Sequence, residues 1–162
     1  MNFSGYYETD TLNGPGIRCT LFVSGCSHKC IGCHNKETIN PNYGEEFTEE
    51  VIQRILNDLK DTRINRKGLT ISGGDPLFYK NVKEVVSLAK RVKEECPDKD
   101  IWLWTGFKMS ELDSEQRKIL DYVDFIVDGR FIKELKDPSL KFRGSSNQNI
   151  IDVKEYQACR II

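Results

Sequence analysis

The sequence lacks the features of several broad classes of protein. It contains no apolar run approaching the roughly 20 residues that a membrane-spanning helix needs. Its charges nearly cancel, with 24 Lys and Arg against 25 Asp and Glu, and no basic stripe predicts a nucleic-acid surface. The amino terminus does not read as a secretory signal. We therefore expect a cytoplasmic protein whose partners include neither a membrane nor a nucleic acid.

Histidine is also scarce, with two residues among 162, whereas there are six cysteines. Three of the cysteines, Cys26, Cys30 and Cys33, share one short loop at the spacing C-x3-C-x2-C. The others are scattered, and Cys19 and Cys96 fall in strand and helix patterns that predict core packing, because free cysteine behaves as a small hydrophobe. A reducing cytosol argues against structural disulfides.

The cysteine loop lacks a fourth cysteine. Three thiolates can hold three irons of a 4Fe–4S cluster, whereas clusters built for electron transfer usually have a cysteine on each of the four irons. The remaining iron is then a site for another ligand. The alternative is structural zinc with His28 or His34 as the fourth ligand, although such sites usually draw their ligands from two separated pairs. A zinc-binding or iron–sulfur module without catalytic activity therefore remains an alternative to an enzyme. If His28 is not a zinc ligand, we expect it to face solvent.

Strand and helix patterns alternate along the chain. Helical periodicity predicts a helix capped by Thr48, a second one beginning near Val82 and a third over 110–120. The first sixteen residues predict no regular structure beyond a short edge strand. Such alternation predicts parallel strands with right-handed crossovers within a single domain, 1–162. The apolar runs that predict strands are 17–23, 68–72, 100–104 and 123–127, with a last strand around 150–153.

Four loops with informative residues follow the predicted strands. Because the carboxyl ends of parallel strands meet at one edge of a sheet, we expect these loops to converge on one ligand-binding mouth. In one of them, Gly73-Gly74-Asp75, the two glycines would let backbone carbonyls approach a ligand. An ammonium group favours such acceptors beside a carboxylate. A plain strand-to-helix turn is the alternative there. The loops are the cysteine loop, Gly73-Gly74-Asp75, Thr105-Gly106 and Asp128-Gly129.

The residues around the cysteines resemble a known signature. The glycyl-radical activating enzymes of the radical S-adenosylmethionine superfamily share the pattern G-x-G-x-[KR]-x3-F-x2-G-C-x3-C-x2-C-x-N. Nearly the whole chain, including the polar tail 143–148, is similar to the activators of the anaerobic (class III) ribonucleoside-triphosphate reductase. Two roles are equally compatible with Arg18, a fixed position of this pattern: a contact near the cluster, or a structural salt bridge. Every fixed position is met, by Gly14, Gly16, Arg18, Phe22, Gly25, Cys26, Cys30, Cys33 and Asn35.

The resemblance implies a fold and a chemistry. The fold would be α/β, an open, partial β/α barrel of parallel strands that is shorter than a full TIM barrel. Cys26, Cys30 and Cys33 would hold a 4Fe–4S cluster, and S-adenosylmethionine would bind its open iron. Reductive cleavage would give methionine and a 5′-deoxyadenosyl radical, which generates a glycyl radical on the large catalytic subunit of the reductase. Flavodoxin or a ferredoxin-type protein would be the reductant.

The resemblance also implies which residues contact S-adenosylmethionine. Asp75 is one carbon shorter than the glutamate usual in the superfamily, so the two glycines before it, rather than a direct Asp75 contact, are the main support for that motif. No catalytic acid or base is predicted, because the cofactors carry the chemistry. An enzyme of the same superfamily that acts on a small molecule remains a further alternative. The implied contacts are Gly32, Cys33 and His34 for the nucleotide, Gly73, Gly74 and Asp75 for the amino group, and Thr105 for the ribose or methionine end.

Overall fold

Seven strands form one mixed sheet in the computed structural model, which describes residues 1–159. In chain order they are β1 (Asn2–Asp10), β2 (Arg18–Val23), β3 (Glu45–Glu46), β4 (Gly68–Gly73), β5 (Asp100–Trp104), β6 (Phe125–Asp128) and β7 (Asn149–Asp152). Across the sheet the order is β3-β1-β2-β4-β5-β6-β7.

The four central strands, β2, β4, β5 and β6, run parallel as the sequence predicts. Their inward positions are apolar and fully buried, as at Leu21, Ile71 and Leu103. Such near-continuous apolar strands are typical of parallel sheets, which are covered on both faces. The loops that follow these strands therefore lie at one edge of the sheet, which confirms the predicted convergence.

Antiparallel strands flank the four parallel strands at both ends of the sheet, and their sequence patterns are weaker than those of the parallel strands. β1 pairs with both β2 and β3, and β7 pairs with β6. The expectation of little regular structure before residue 17 is wrong, because β1 is nine residues long. Only Phe3 of that strand is buried, so its polar and aromatic residues show no clear alternation between two faces. Val153, expected in the last strand, instead begins a helix.

The helices are α1 (Glu49–Lys60), α2 (Val82–Glu95), α3 (Ser114–Arg117) and α4 (Val153–Ala158). Thr48 lies at the N-cap of α1 as predicted, although its hydroxyl donates to the Glu50 carboxylate instead of capping the backbone. The continuous helix predicted over 110–120 is wrong. Asp113 accepts a hydrogen bond from the Gln116 backbone and starts a new short helix. Single 3-10 turns lie on either side, at Met109–Glu111 and Lys118–Asp121.

Arg18 lies at the edge of the sheet opposite the cysteine loop. Its guanidinium is fully buried, pairs with Asp100 and donates to the hydroxyl of Thr70 and the carbonyl of Leu69. Of the two roles considered for Arg18, the structure therefore shows the structural salt bridge. Cys19 and Cys96 are buried, as predicted.

Within residues 1–159, no helix has the length and apolar character that crossing a membrane requires.

Candidate functional site

The three loop cysteines lie directly after β2 and line one cleft at the carboxyl edge of the sheet. All three are free and partly exposed. Lys29, between two of them, adopts a left-handed backbone with φ of 51°, which turns the loop back on itself. Gly74 and Thr105, from the loops after β4 and β5, line the same cleft. Residues far apart in the sequence thus meet where ligands bind in parallel α/β folds.

Burial disfavours the charged form of two of these thiols. It raises the pKa of Cys26 to about 11. It also raises the pKa of Cys30, against the opposing effect of a hydrogen bond from the backbone of Phe131. In the metal-free protein these side chains are therefore thiols at neutral pH. Iron would bind them as thiolates, so loading the site releases protons.

His28 is not solvent-facing, which corrects the sequence-based expectation. Its side chain is only 4% exposed, and its Nε2 lies 2.6 Å from Oδ2 of Asp75. The ring also packs edge-on against Phe107, with 4.4 Å between the ring centroids. Ligand atoms of Cys26, His28 and Asp75 all lie within 4.8 Å of one another. His28 is therefore part of the site, at its inner wall.

Gly73 and Gly74 lie in a turn that packs tightly on the cysteine loop. A Cβ at position 74 would lie 2.6 Å from the carbonyl oxygen of Gly25 and 2.7 Å from that of Thr38. The amide of Asp75 also donates to the Gly25 carbonyl, at 2.8 Å. Glycine at position 74 is therefore required by the approach of two segments of the protein itself, a reason that the sequence did not reveal.

The predicted nucleotide-contacting residues Gly32 and His34 are exposed and do not line the cleft, whereas Cys33 between them does. The ring of His34 lies 6.2 Å from that of Phe131, centroid to centroid. The side chain of Lys133 packs beside Gly32, 3.3 Å from where a Cβ would be. The segment after β6 thus forms the wall of the cleft that faces the cysteine loop.

The polar tail 143–148 is held as a compact loop against the end of β6. Gln148 organises it, because its Oε1 accepts from the backbone amides of Gly144 and Ser145 and its Nε2 donates to the carbonyl of Gly129. Gln148 also lines the cleft. The sequence singled out this tail by resemblance without a role; nothing in it pointed to Phe131, the other cleft residue from this side.

The residues present fit a 4Fe–4S cluster with three cysteine ligands. The cleft brings together three free thiols from one loop. Among the described residues no other cysteine reaches it, since Cys19 and Cys96 are buried elsewhere in the core and Cys159 is exposed after α4. This donor set would hold three of the four irons, which is the ligand set expected from the sequence.

Comparison with known proteins gives the same class. Residues 12–151 match the family described as a 4Fe-4S single cluster domain. The chain is therefore an iron–sulfur protein of the single-cluster type.

Similar proteins with curated names identify the family within this class. An Escherichia coli (strain K12) protein is 54% identical over 148 residues, which cover 91% of this chain and 96% of the relative. A Haemophilus influenzae protein is 57% identical, covering 93% and 97%, and one from Enterobacteria phage T4 is 44% identical, covering 93% of each chain. All three are named anaerobic ribonucleoside-triphosphate reductase-activating protein. The chain belongs to this family of activating proteins.

Proposed function

We propose that this protein activates an anaerobic ribonucleoside-triphosphate reductase by generating a glycyl radical on its large catalytic subunit. The observation that carries the proposal is the cleft with three cysteines and no fourth, at the ligand-binding edge of a parallel sheet. The names of the relatives support the same partner.

The chemistry comes from groups that the protein binds. When bound, a 4Fe–4S cluster would supply the single electron for reductive cleavage of S-adenosylmethionine to methionine and a 5′-deoxyadenosyl radical, and that radical would take a hydrogen atom from a glycine Cα of the reductase. Cys26, Cys30 and Cys33 would hold the cluster. Flavodoxin or a ferredoxin-type protein would supply the electron, in the cytoplasm.

The protein's own contribution is binding, orientation and exclusion of solvent. The turn at Gly73 and Gly74 offers backbone carbonyls for the amino group of S-adenosylmethionine, with the negative charge of Asp75 beneath it. The segment Gly32, Cys33 and His34, of which Cys33 lines the cleft, would receive the nucleotide, and Thr105 lines the cleft from the end of β5. No side chain has to move a proton in this scheme.

The fold forms part of the proposal. Four parallel strands joined by helical crossovers are consistent with an open, partial β/α barrel formed by one domain. In such a barrel the cleft would stay open on one side, where the reductase could close it and present its glycine.

The test is anaerobic. The protein is reconstituted with iron and sulfide, reduced and mixed with S-adenosylmethionine, and 5′-deoxyadenosine is measured with and without the reductase. A glycyl-radical EPR signal on the reductase, together with 5′-deoxyadenosine, is the expected result. Cleavage with no radical on the reductase would point instead to a small-molecule substrate. Tight zinc binding without cluster formation would contradict the proposal that this protein is an enzyme.

A further inference from the structure

His28 connects two parts of the site that are distant in sequence. It lies between Cys26 and Cys30 on the cysteine loop, yet its partner Asp75 is 47 residues away, after β4. Both side chains are nearly inaccessible, with 4% and 1% exposed. Two backbone amides and a hydroxyl already donate to the Asp75 carboxylate, so Nε2 of His28 is assigned as its fourth donor. The bond therefore ties the cysteine loop to the turn that contains Gly73 and Gly74.

The position of the ring is fixed from two other sides. Phe107 contacts it edge-on, at an interplanar angle of 72°. The backbone of Gly106 lies against the ring, so closely that a Cβ there would be 2.3 Å from Cδ2 of the imidazole. Both residues follow β5. The ring thus bears on the ends of two central strands at once.

The carboxylate of Asp75 is fully used by the protein. Its Oδ1 accepts from the Leu77 amide at 2.8 Å and from the Thr105 hydroxyl at 2.9 Å. Its Oδ2 accepts from His28 at 2.6 Å and from the Gly106 amide at 3.0 Å. A carboxylate has about four lone-pair sites, and these four donors occupy them. Asp75 therefore has no acceptor site free for a ligand in the cleft.

We propose that His28 is a positioning residue for the iron–sulfur cluster, and that Asp75 acts through His28 instead of binding the amino group of S-adenosylmethionine directly. The proposal rests on the proposed function for the presence of the cluster. His28 also donates its backbone amide to the sulfur of Cys26, at 3.4 Å. Fixing its side chain on Asp75 fixes that amide, and hydrogen bonds to cluster sulfurs help to set the reduction potential.

Two substitutions separate the hydrogen bond from the bulk of the ring. His28→Leu replaces the imidazole by an apolar side chain of roughly similar size that donates no hydrogen bond. His28→Gln keeps an N–H donor of similar reach. Residues that orient metal ligands typically change metal affinity by about 10- to 100-fold when replaced. We expect His28→Leu to lose iron to a chelator about 10- to 100-fold faster than wild type and to shift the cluster midpoint potential, and His28→Gln to restore most of both.

Gln53→Leu is the control for the change to leucine, because Gln53 is exposed on α1 and its side-chain amide donates to Glu49, away from the cleft. Asp75→Leu, which removes the acceptor of this bond, should speed iron loss as His28→Leu does. The double variant should be no worse than the poorer single variant, because both changes break the same bond. All measurements are made anaerobically without S-adenosylmethionine or reductase, and the melting temperature of each metal-free variant is recorded.

Each outcome decides the proposal. Iron loss and potential unchanged in His28→Leu would overturn it. It is also overturned if His28→Gln is as poor as His28→Leu, because then the bond to Asp75 is not the cause. If the wild-type protein holds its cluster but does not cleave S-adenosylmethionine, only the proposed function is contradicted. The comparison of variants then still tests whether His28 positions the cluster. A wild-type protein that takes up no cluster overturns both.

Discussion

The ring of His28 lies directly on the backbone of Gly106, where a Cβ would be 2.3 Å from one ring carbon and 2.7 Å from Nε2. Real Cβ atoms do not approach other atoms so closely, since interiors are packed to van der Waals contact. Position 106 therefore controls where the imidazole can be, from the end of a different strand.

Gly106→Ala should push the ring away from Asp75 and speed iron loss from the reconstituted protein by about tenfold or more. The effect is steric, because the conflict is with a side chain held between Phe107 and Asp75. The measurement is the rate of iron transfer to a chelator. Gly5→Ala is the control, because its Cβ would meet only the Tyr7 ring at an ordinary 3.5 Å. Equal rates in the two variants would contradict this prediction.

Replacing any one of the three loop cysteines should abolish cleavage of S-adenosylmethionine. Alanine at Cys26, Cys30 or Cys33 leaves two thiolates, which cannot hold the cluster in the expected way. Cys159→Ala should retain nearly full activity, because that residue is exposed after α4 and is not part of the cleft lining. The assay is 5′-deoxyadenosine formed per iron bound. Full cleavage by Cys30→Ala would rule out the cluster assignment.

The parallel core could be predicted because its signal is local. The apolar runs of β2, β4, β5 and β6 are short and bounded by turn residues, and their order along the chain implies the shared edge. β1 gave no such signal, since it is half-buried and rich in tyrosine. The break at Asp113 was missed although the sequence carries a signal for it, because Asp113 and Gln116 have the spacing of a capping box that starts a new helix.

The site was predictable in part for the same reason. The cysteine spacing is local, so the ligands could be named. The bond between His28 and Asp75 spans 47 residues, and no local pattern reports it. Gly74 was interpreted as access for a ligand, whereas the structure shows the close approach of the Gly25 carbonyl. Contacts made by the tertiary fold are invisible in the periodicity of a single segment.

Alkylation of Cys26 in the metal-free protein should depend steeply on pH. Burial raises its pKa to about 11, so the reactive thiolate is a minor species at neutral pH. Below that pKa the thiolate fraction, and with it the rate, should rise about tenfold for each pH unit. Iodoacetamide labelling of Cys26, followed by peptide mass spectrometry between pH 7 and 10, measures this. A rate that levels off below pH 9 would show that burial does not suppress ionisation here.

Arg18 should be important for stability and not for the chemistry of the cleft. Arg18→Met removes a fully buried guanidinium that donates to the carbonyl of Leu69 and to the hydroxyl of Thr70. Leaving such acceptors without their charged donor should lower the free energy of unfolding by about 3 kcal/mol. Urea unfolding of the metal-free protein measures the loss.

Asp100→Asn is the comparison for Arg18. It keeps an oxygen acceptor for the guanidinium at a side chain that is 32% exposed, so it should cost about 1 kcal/mol or less. A loss in Asp100→Asn as large as that in Arg18→Met would mean that the ion pair, and not the buried hydrogen bonds, dominates. Cluster content per folded protein should be unchanged in both variants, because this edge of the sheet is opposite the cleft.

Gln148 should hold the tail 143–148 in place. Gln148→Leu removes the acceptor for the amides of Gly144 and Ser145 and the donor to Gly129. Amide exchange at Gly144 and Ser145 should become about tenfold faster, which corresponds to about 1.4 kcal/mol of lost hydrogen bonding. Hydrogen–deuterium exchange of the metal-free protein measures this directly.

Ser146→Ala is the matched control for the tail, because that side chain is exposed and no described hydrogen bond involves its hydroxyl. Gln148→Glu separates the two functions of the amide: its carboxylate still accepts from Gly144 and Ser145, but it cannot donate to Gly129. It should therefore keep the exchange protection of those two amides better than Gln148→Leu does. If both Gln148 variants exchange alike, the bond to Gly129 is what anchors this loop at the wall of the cleft.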